Sequence, residues 1–167
     1  MRYFPAALAL SLLVAVTASV SEAGVYAADP RAVALVAQGR SLLDAGKTAD
    51  AIDSFEAALA VDPGYTDVYL DLAVAARKDG MQGKAIHYYR VALETQPDNL
   101  AAISGEGEAL LEKGAVEKAK RNLAKLESMC GEKCAQTKAL AVAIQHAPAP
   151  KVVTAEAVTP DPVVTQN

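Results

Sequence analysis

Cys130 and Cys134 are the only thiols in the 167-residue chain, and the gap between them limits what they can do. A dithiol oxidoreductase places two residues between its cysteines, and here there are three. A c-type haem attachment needs His after the second Cys, where this chain has Ala135. A zinc site would have to recruit His87 or His146, and His87 lies far from the pair in sequence. A disulfide fits the spacing better. Residues four apart on a helix lie at a bridgeable separation, and Gly131 supplies the backbone freedom to aim the side chains together. Chain entropy for a loop of about five residues gives roughly 2 kcal/mol at most, so such a bond pins neighbouring elements rather than holding a fold together.

Other chemistry is thinly represented. Gly105-Glu106-Gly107 is too short for a nucleotide fingerprint and reads as small residues at a helix–helix contact. Gly80 and Gly83 flank a turn rather than a phosphate loop, and no His is spaced to work with a Ser and an Asp. The expectation is a chain with no catalytic residues, no metal and no cofactor.

Whether the cysteines oxidise depends on compartment. Residues 1–27 carry Arg2, an apolar run from Ala6 to Val20, and small residues approaching Asp29, the layout of a secretory signal peptide. Cleavage is expected after Ala27, with Ala23 the other position that fits. The apolar run is shorter than the ~20 residues a membrane helix needs, so no span is expected after cleavage. Removing this segment takes away Arg2 and Glu22 and leaves the net charge at −4. A mildly acidic chain is a poor candidate for nucleic-acid binding.

The elements that position the cysteines come from a pattern of 34 residues written three times. Gly46, Gly80 and Gly114 share that interval, as do Ala51, Ala85 and Ala119, then Phe55, Tyr89 and Leu123, then Ala58, Ala92 and Leu126. Leu35, Tyr69 and Ile103 repeat a large apolar slot, and Gly39, Ala73 and Gly107 a small one. From Ala32 to Ala45 the apolar residues fall at helical spacing, and Gly46 ends the segment. A second helix follows with Thr48 as N-cap and Ile52, Phe55, Ala58 and Leu59 on one face, before Asp62-Pro63-Gly64 stops it. Each such hairpin has an apolar face that it cannot bury alone, and stacking buries it.

This pattern, Ala51-x3-Phe55, Ala58 and a closing Pro63, repeated with Pro97, resembles the tetratricopeptide repeat. The resemblance implies an all-α fold, a right-handed superhelical array of three helix hairpins plus a C-terminal capping helix. The units would span 32–65, 66–99 and 100–130, with the cap at 134–146, inside a domain of residues 28–146. Leu140, Ala143 and Ile144 share the cap's apolar face, and Gln136, Lys138 and Gln145 its polar one. Glu106 stands where the family keeps Leu, which requires either a small helix rotation or a carboxylate reaching the array's edge. Residues 147–167 hold Pro148, Pro150, Pro160 and Pro162 without helical spacing and read as a disordered or extended tail, whose Val152-Val153 and Val163-Val164 pairs could dock elsewhere.

In the family, the first helix of each unit lines a concave groove. Carried over by position, the groove residues are Val33, Val36, Arg40 and Leu43, then Leu70, Val74, Arg77 and Lys78, then Ser104 and Glu108. That surface reads as apolar, then basic at Arg40, Arg77 and Lys78, then acidic, and suits a helix or extended peptide with an apolar ridge. The slots that chaperone-binding members use to grip a C-terminal carboxylate hold Val36, Arg40, Asp71, Ala101 and Gly105, so that clamp is absent. The chain is also similar to small exported bacterial members with a close Cys pair after the last repeat, which implies a periplasmic location. The implied function is a non-catalytic protein-binding module of the cell envelope. The alternative is a structural subunit or assembly factor of a secretion, pilus or division complex.

Overall fold

A computed structural model describes residues 26–147, so the expected signal segment and the expected Pro/Val-rich tail lie outside the described residues, apart from their inner ends. Within them the chain forms seven α-helices: α1 (Pro30–Asp44), α2 (Thr48–Val61), α3 (Val68–Lys78), α4 (Gln82–Thr95), α5 (Leu100–Glu112), α6 (Val116–Cys130) and α7 (Ala135–His146). α1 packs on α2, α3 on α4 and α5 on α6, while α2–α3 and α4–α5 contacts join successive hairpins and α7 closes against α5 and α6. This is an all-α superhelical array of three hairpins with a terminal cap.

The period has a backbone cause. Gly46, Gly80 and Gly114 have φ of +75°, +77° and +79°, a left-handed conformation that L side chains adopt at a cost. Each sits between the two helices of its hairpin, where its N–H bonds back to the carbonyl of Leu43, Arg77 or Leu111. α1 starts two residues before the expected Ala32: Pro30 occupies the first turn, where its missing N–H costs nothing, and the Asp29 side chain accepts from the Arg31 N–H. The expected N-cap role of Thr48 is corrected. Thr48 is already the first helical residue of α2, and its hydroxyl instead donates to the Asp79 carboxylate in the turn of the next hairpin.

Two groups of buried side chains form the core, one around Phe55 and Leu72 and one around Tyr89, Ile103, Leu126 and Leu140. Tyr69, Val74, Met81 and Tyr88 pack against both, so the interior is continuous along the array. The ring in the aromatic slot leans differently in successive hairpins. Phe55 lies over Gly39 of its own hairpin, where an added Cβ would stand 2.5 Å from the ring. Tyr89 lies over Gly105 of the next hairpin, where a Cβ would stand 2.4 Å from it. The repeat supplies the reason: Ala73 fills the slot equivalent to Gly39, and Asp71 the slot equivalent to Gly105. Each ring takes the side on which glycine leaves room.

The third hairpin has the shorter Leu123 in the aromatic slot, and Leu140 of α7 packs directly on Gly107. Leu140 is fully buried, with Ala143 and Ile144 beside it, while Lys138 and Gln145 face solvent as expected of a cap. At the junction the Cys130 and Cys134 sulfurs are bonded, with their Cα atoms 5.8 Å apart, and Gly131 between them has φ +79°.

At the other end Tyr26 packs against Gly64, and the Asp29 N–H donates to Asp62 at 2.8 Å, so the residues before α1 are clasped to the end of α2. The Tyr26 hydroxyl first, and the Asp29 N–H second, hold the Asp62 carboxyl below its ordinary range. Solvent lost on the packed side of its half-exposed ring and the Asp62 carboxylate push the Tyr26 phenol up to about 12.

Candidate functional site

α3 touches both α1 and α5, so the first helices of the three hairpins share one face of the array. Ion pairs between successive hairpins run along it. Arg40 donates from Nε at 3.1 Å and from Nη2 at 2.8 Å to the two carboxylate oxygens of Asp71, a two-pronged fit. Arg77 donates to Glu112 from Nε at 2.8 Å and to the Glu108 carboxylate from Nη1. Asp71 follows Arg40, and Glu108 follows Arg77, by 31 residues, which brings an arginine of one hairpin to a carboxylate of the next.

The two pairs differ in environment. The Arg40 side chain is 58% exposed, so its link is worth no more than about 1 kcal/mol. The Arg77 side chain is 29% exposed and sits deeper. Burial opposes its charge most strongly, but hydrogen bonding to Glu112 and the charges of Glu108 and Glu112 outweigh that and raise its pKa. Beneath it Tyr89 is buried, which raises its phenol, while Arg77 pulls the other way.

These contacts correct the reading of a basic stripe. Arg40 and Arg77 are neutralised by the carboxylates of the following hairpin, and Lys78 is the one of the three that makes no ion pair among the described residues. The apolar part of the expected groove also narrows. Val36 and Leu43 are buried in the core around Phe55, and Ser104 is covered by α7, its hydroxyl donating to the Gln136 carbonyl at 3.3 Å. Val33 is exposed, Leu70 and Val74 remain half-buried on the face, and Glu108 is half-buried against Arg77.

Three clefts meet at Arg77. One of about 280 Å³ is lined by Val74, Lys78, Tyr89 and Glu112. A second, about 360 Å³, lies between α5 and the start of α7, with Ser104, Glu108, Gln136 and Ala139 in its walls. The third, about 260 Å³, holds Glu108, Leu111, Glu112, Ala143 and Ala147. The arrangement offers an uneven channel with apolar floor segments, one half-buried guanidinium shared by two carboxylates, and an exposed ammonium at the rim. It suits side chains of a polypeptide laid across the first helices. The cap's share of these walls, Gln136, Ala139 and Ala143 with Ala147 just beyond it, escaped the sequence reading because the family's groove positions stop at the repeats.

Glu106 takes the second of the two arrangements open to it. Its carboxylate accepts from Arg90 Nε at 2.8 Å and from Asn122 Nδ2 at 3.0 Å, so a buried acid is satisfied at the edge of the array. Asn122 also donates to the Ile103 carbonyl at 3.1 Å, tying α6 to α5. His87 and His146 are exposed, and His146 lies in the last turn of α7.

Residues 36–99 match the family described as tetratricopeptide repeat. No curated protein matches the chain by sequence. Among solved structures, the chain is similar to the first TPR domain of Spaghetti (RPAP3) bound to the HSP90 peptide SRMEEVD, with 20% identity, 73% of this chain and 97% of that one covered, and a TM-score of 0.63. It is similar to the Sgt2 TPR domain from Aspergillus fumigatus at 22% identity, covering 71% and 80% of the two chains, TM-score 0.64. The second TPR domain of human RPAP3, in complex with the HSP70 peptide SGPTIEEVD, matches at 18% identity over 69% and 95%, TM-score 0.62.

Proposed function

We propose, from the match of residues 36–99 to the tetratricopeptide-repeat family and the shared fold, that the chain is a non-catalytic interaction module that holds a peptide or helix of a protein partner on the concave face around Arg77. The observation that carries this reading is the meeting of three clefts at Arg77, bordered by half-buried Val74 and by exposed Lys78. Two of the similar domains are described with bound peptides, HSP90 SRMEEVD and HSP70 SGPTIEEVD, which supports a peptide as the class of ligand. The ligand here is of another kind. The clamp slots hold Val36, which is buried, Arg40, which is engaged by Asp71, and Asp71 itself, which repels a terminal carboxylate.

The setting we propose is the periplasm of a bacterium. Support comes from the N-terminal sequence layout and from the Cys130–Cys134 bond, since such bonds persist in oxidising compartments. Among the described residues no helix is long and apolar enough to cross a membrane.

Selection from a displayed library of random peptides tests the binding, with each selected peptide measured against the parent chain and Lys78→Glu. Reversal of an exposed charge leaves the helical circular dichroism unchanged. It is expected to weaken acidic-flanked peptides by about tenfold, the effect of roughly 1.4 kcal/mol. Peptides that bind both chains equally, or no selectable peptide at all, count against the concave face as the site.

A further inference from the structure

We infer that a second binding site lies between α4 and the turn from α5 to α6, where a basic cleft takes an acidic segment of a protein partner, its carboxylates flanking an aliphatic side chain. The site stands apart from the concave-face reading, since the cleft shares no wall residue with those that meet at Arg77.

The cleft has a volume of about 430 Å³, with Ile86, Leu110 and Ala115 as apolar walls and Arg90, Lys113 and Lys118 as the charged ones. No carboxylate lines it. Arg90 gives its Nε to Glu106, which leaves its two terminal nitrogens without a hydrogen bond among the described residues, on a side chain that is 55% exposed. Lys113 and Lys118 are exposed and make no ion pair among the described residues. A Cβ on Gly83 would stand 3.6 Å from Lys113 Nζ, so that ammonium reaches across the cleft toward α4. With Arg90 set against Glu106, two positive charges remain, on a chain whose net charge is −4. A cleft lined by one sign of charge over apolar walls concentrates its field on whatever enters.

The repeat shows that this is not how every junction is built. The same positions 34 residues earlier hold Glu56 for Arg90, Asp79 for Lys113 and Lys84 for Lys118. There Glu56 accepts from the Tyr88 hydroxyl at 3.3 Å, and Asp79 accepts from Thr48. Shape changes together with charge. Met81 packs against both groups of buried side chains, and its counterpart is Ala115 on nearly the same backbone, φ −92° and ψ 58° against φ −87° and ψ 55°. The shorter side chain leaves open the room that a methionine fills, and Leu110 in place of Ala76 broadens the apolar wall beside it.

The chemistry of the occupant follows from these features. Arg121 lies one turn along α6 from Lys118 and is also exposed without an ion pair among the described residues, so positive charge continues past the cleft, beyond the reach of a small anion. Ammonium groups on flexible stems recognise charge rather than a fixed outline, and the apolar walls add a place for an aliphatic side chain. A polypeptide with acidic residues on either side of an apolar one meets all three conditions. A membrane surface fits less well: helices that lie on membranes bury exposed large apolar residues, and those exposed among the described residues, Tyr26, Val33, Met129 and Val142, are all outside the cleft.

Titrating the isotope-labelled chain with the end-capped peptide GELEGELEG, against GQLQGQLQG as control, tests the site. The expected result is saturable amide shifts at Gly83, Ile86, Lys113 and Gly114 with the acidic peptide alone, weakening as salt rises. Each exposed ammonium contributes up to about fivefold in affinity, so Lys113→Glu combined with Lys118→Glu should weaken binding by at least about tenfold, while Lys78→Glu leaves it unchanged. Ala115→Met keeps every charge and refills the cleft on a backbone that Met81 already adopts; it should weaken binding about fivefold, with the helical circular dichroism intact. Equal shifts from the control peptide, shifts centred on Lys78, or an affinity unmoved by Ala115→Met would overturn the proposal. So would shifts at the same residues that grow with chain concentration in the absence of peptide, which assign the cleft to a second copy. Sedimentation with phosphatidylglycerol vesicles by a chain that does not respond to the acidic peptide would assign it to a membrane and overturn the proposal as well.

Discussion

Replacing Gly39 with Ala sets two effects of known size against each other. Alanine in the interior of α1 favours the helix by about 1 kcal/mol over glycine. The new Cβ would stand 2.5 Å from Cε1 and 2.7 Å from Cδ1 of Phe55, whose ring is fully buried, so the ring must move. Overpacking of this kind costs about 1–3 kcal/mol. The ring's other resting place, the one Tyr89 uses over Gly105, is closed to Phe55 because Asp71 stands at that position. The net expectation for Gly39→Ala is a loss of about 1 kcal/mol, or about 4 °C in melting temperature for a domain of this size. Asp71→Gly alone is expected to cost about 1–2 kcal/mol, from helix propensity and the exposed Arg40 link. In the double variant Phe55 gains the second place, and the two losses should fall short of their sum by about 1 kcal/mol. Urea unfolding followed by circular dichroism measures all four proteins of the cycle. Additivity within about 0.5 kcal/mol would refute the idea that glycine position decides where each ring leans.

Cys130→Ser should lower stability by no more than about 2 kcal/mol, with hydrogen exchange rising first in α7 while α1–α4 keep their protection; loss of the whole fold would contradict a pinning role. Asp29 and Asp62 both have carboxyls held below the ordinary value of 3.8, Asp29 chiefly by its Arg31 hydrogen bonds and Asp62 by Tyr26 and the Asp29 N–H. A depressed carboxyl contributes stability that is present above its ordinary value and lost as pH falls through the folded one, so the clasp should hold from pH 7 to 5 and release below about pH 4. In a chain that keeps Tyr26, as cleavage after Ala23 would, Tyr26 ring resonances should report that release, and Asp62→Asn should remove the transition. The peptide SRMEEVD should show no saturable binding by anisotropy, with a Kd weaker than about 1 mM; micromolar binding would mean that the carboxylate slots work despite Val36 and Asp71.

The hairpins were legible in the sequence because one backbone requirement recurs. A left-handed residue is needed where each first helix ends, and Gly46, Gly80 and Gly114 mark it at a fixed interval. The cap was legible from the spacing of Leu140, Ala143 and Ile144. The face of the array was harder to read. Family positions placed Val36, Leu43 and Ser104 in the groove, but whether such a residue is open depends on how deeply neighbouring helices and the cap settle over it, and that is a tertiary outcome. Arg40 and Arg77 looked like free charges because a repeat read one unit at a time hides its neighbour's carboxylates. The recurring offset from Arg40 to Asp71 and from Arg77 to Glu108 was visible once units were compared pairwise. Thr48 was misplaced by a single residue, within the usual uncertainty of a helix end, and its hydroxyl serves the next turn instead.

The central claim is that a polypeptide lies on the first helices around Arg77. An amide-resonance footprint of a selected peptide on the isotope-labelled chain tests it most directly. The account predicts shifts at Leu70, Val74, Lys78 and Glu112, with Asp53, His87 and Lys120 on the second helices undisturbed. A footprint centred on α2, α4 and α6 would contradict it.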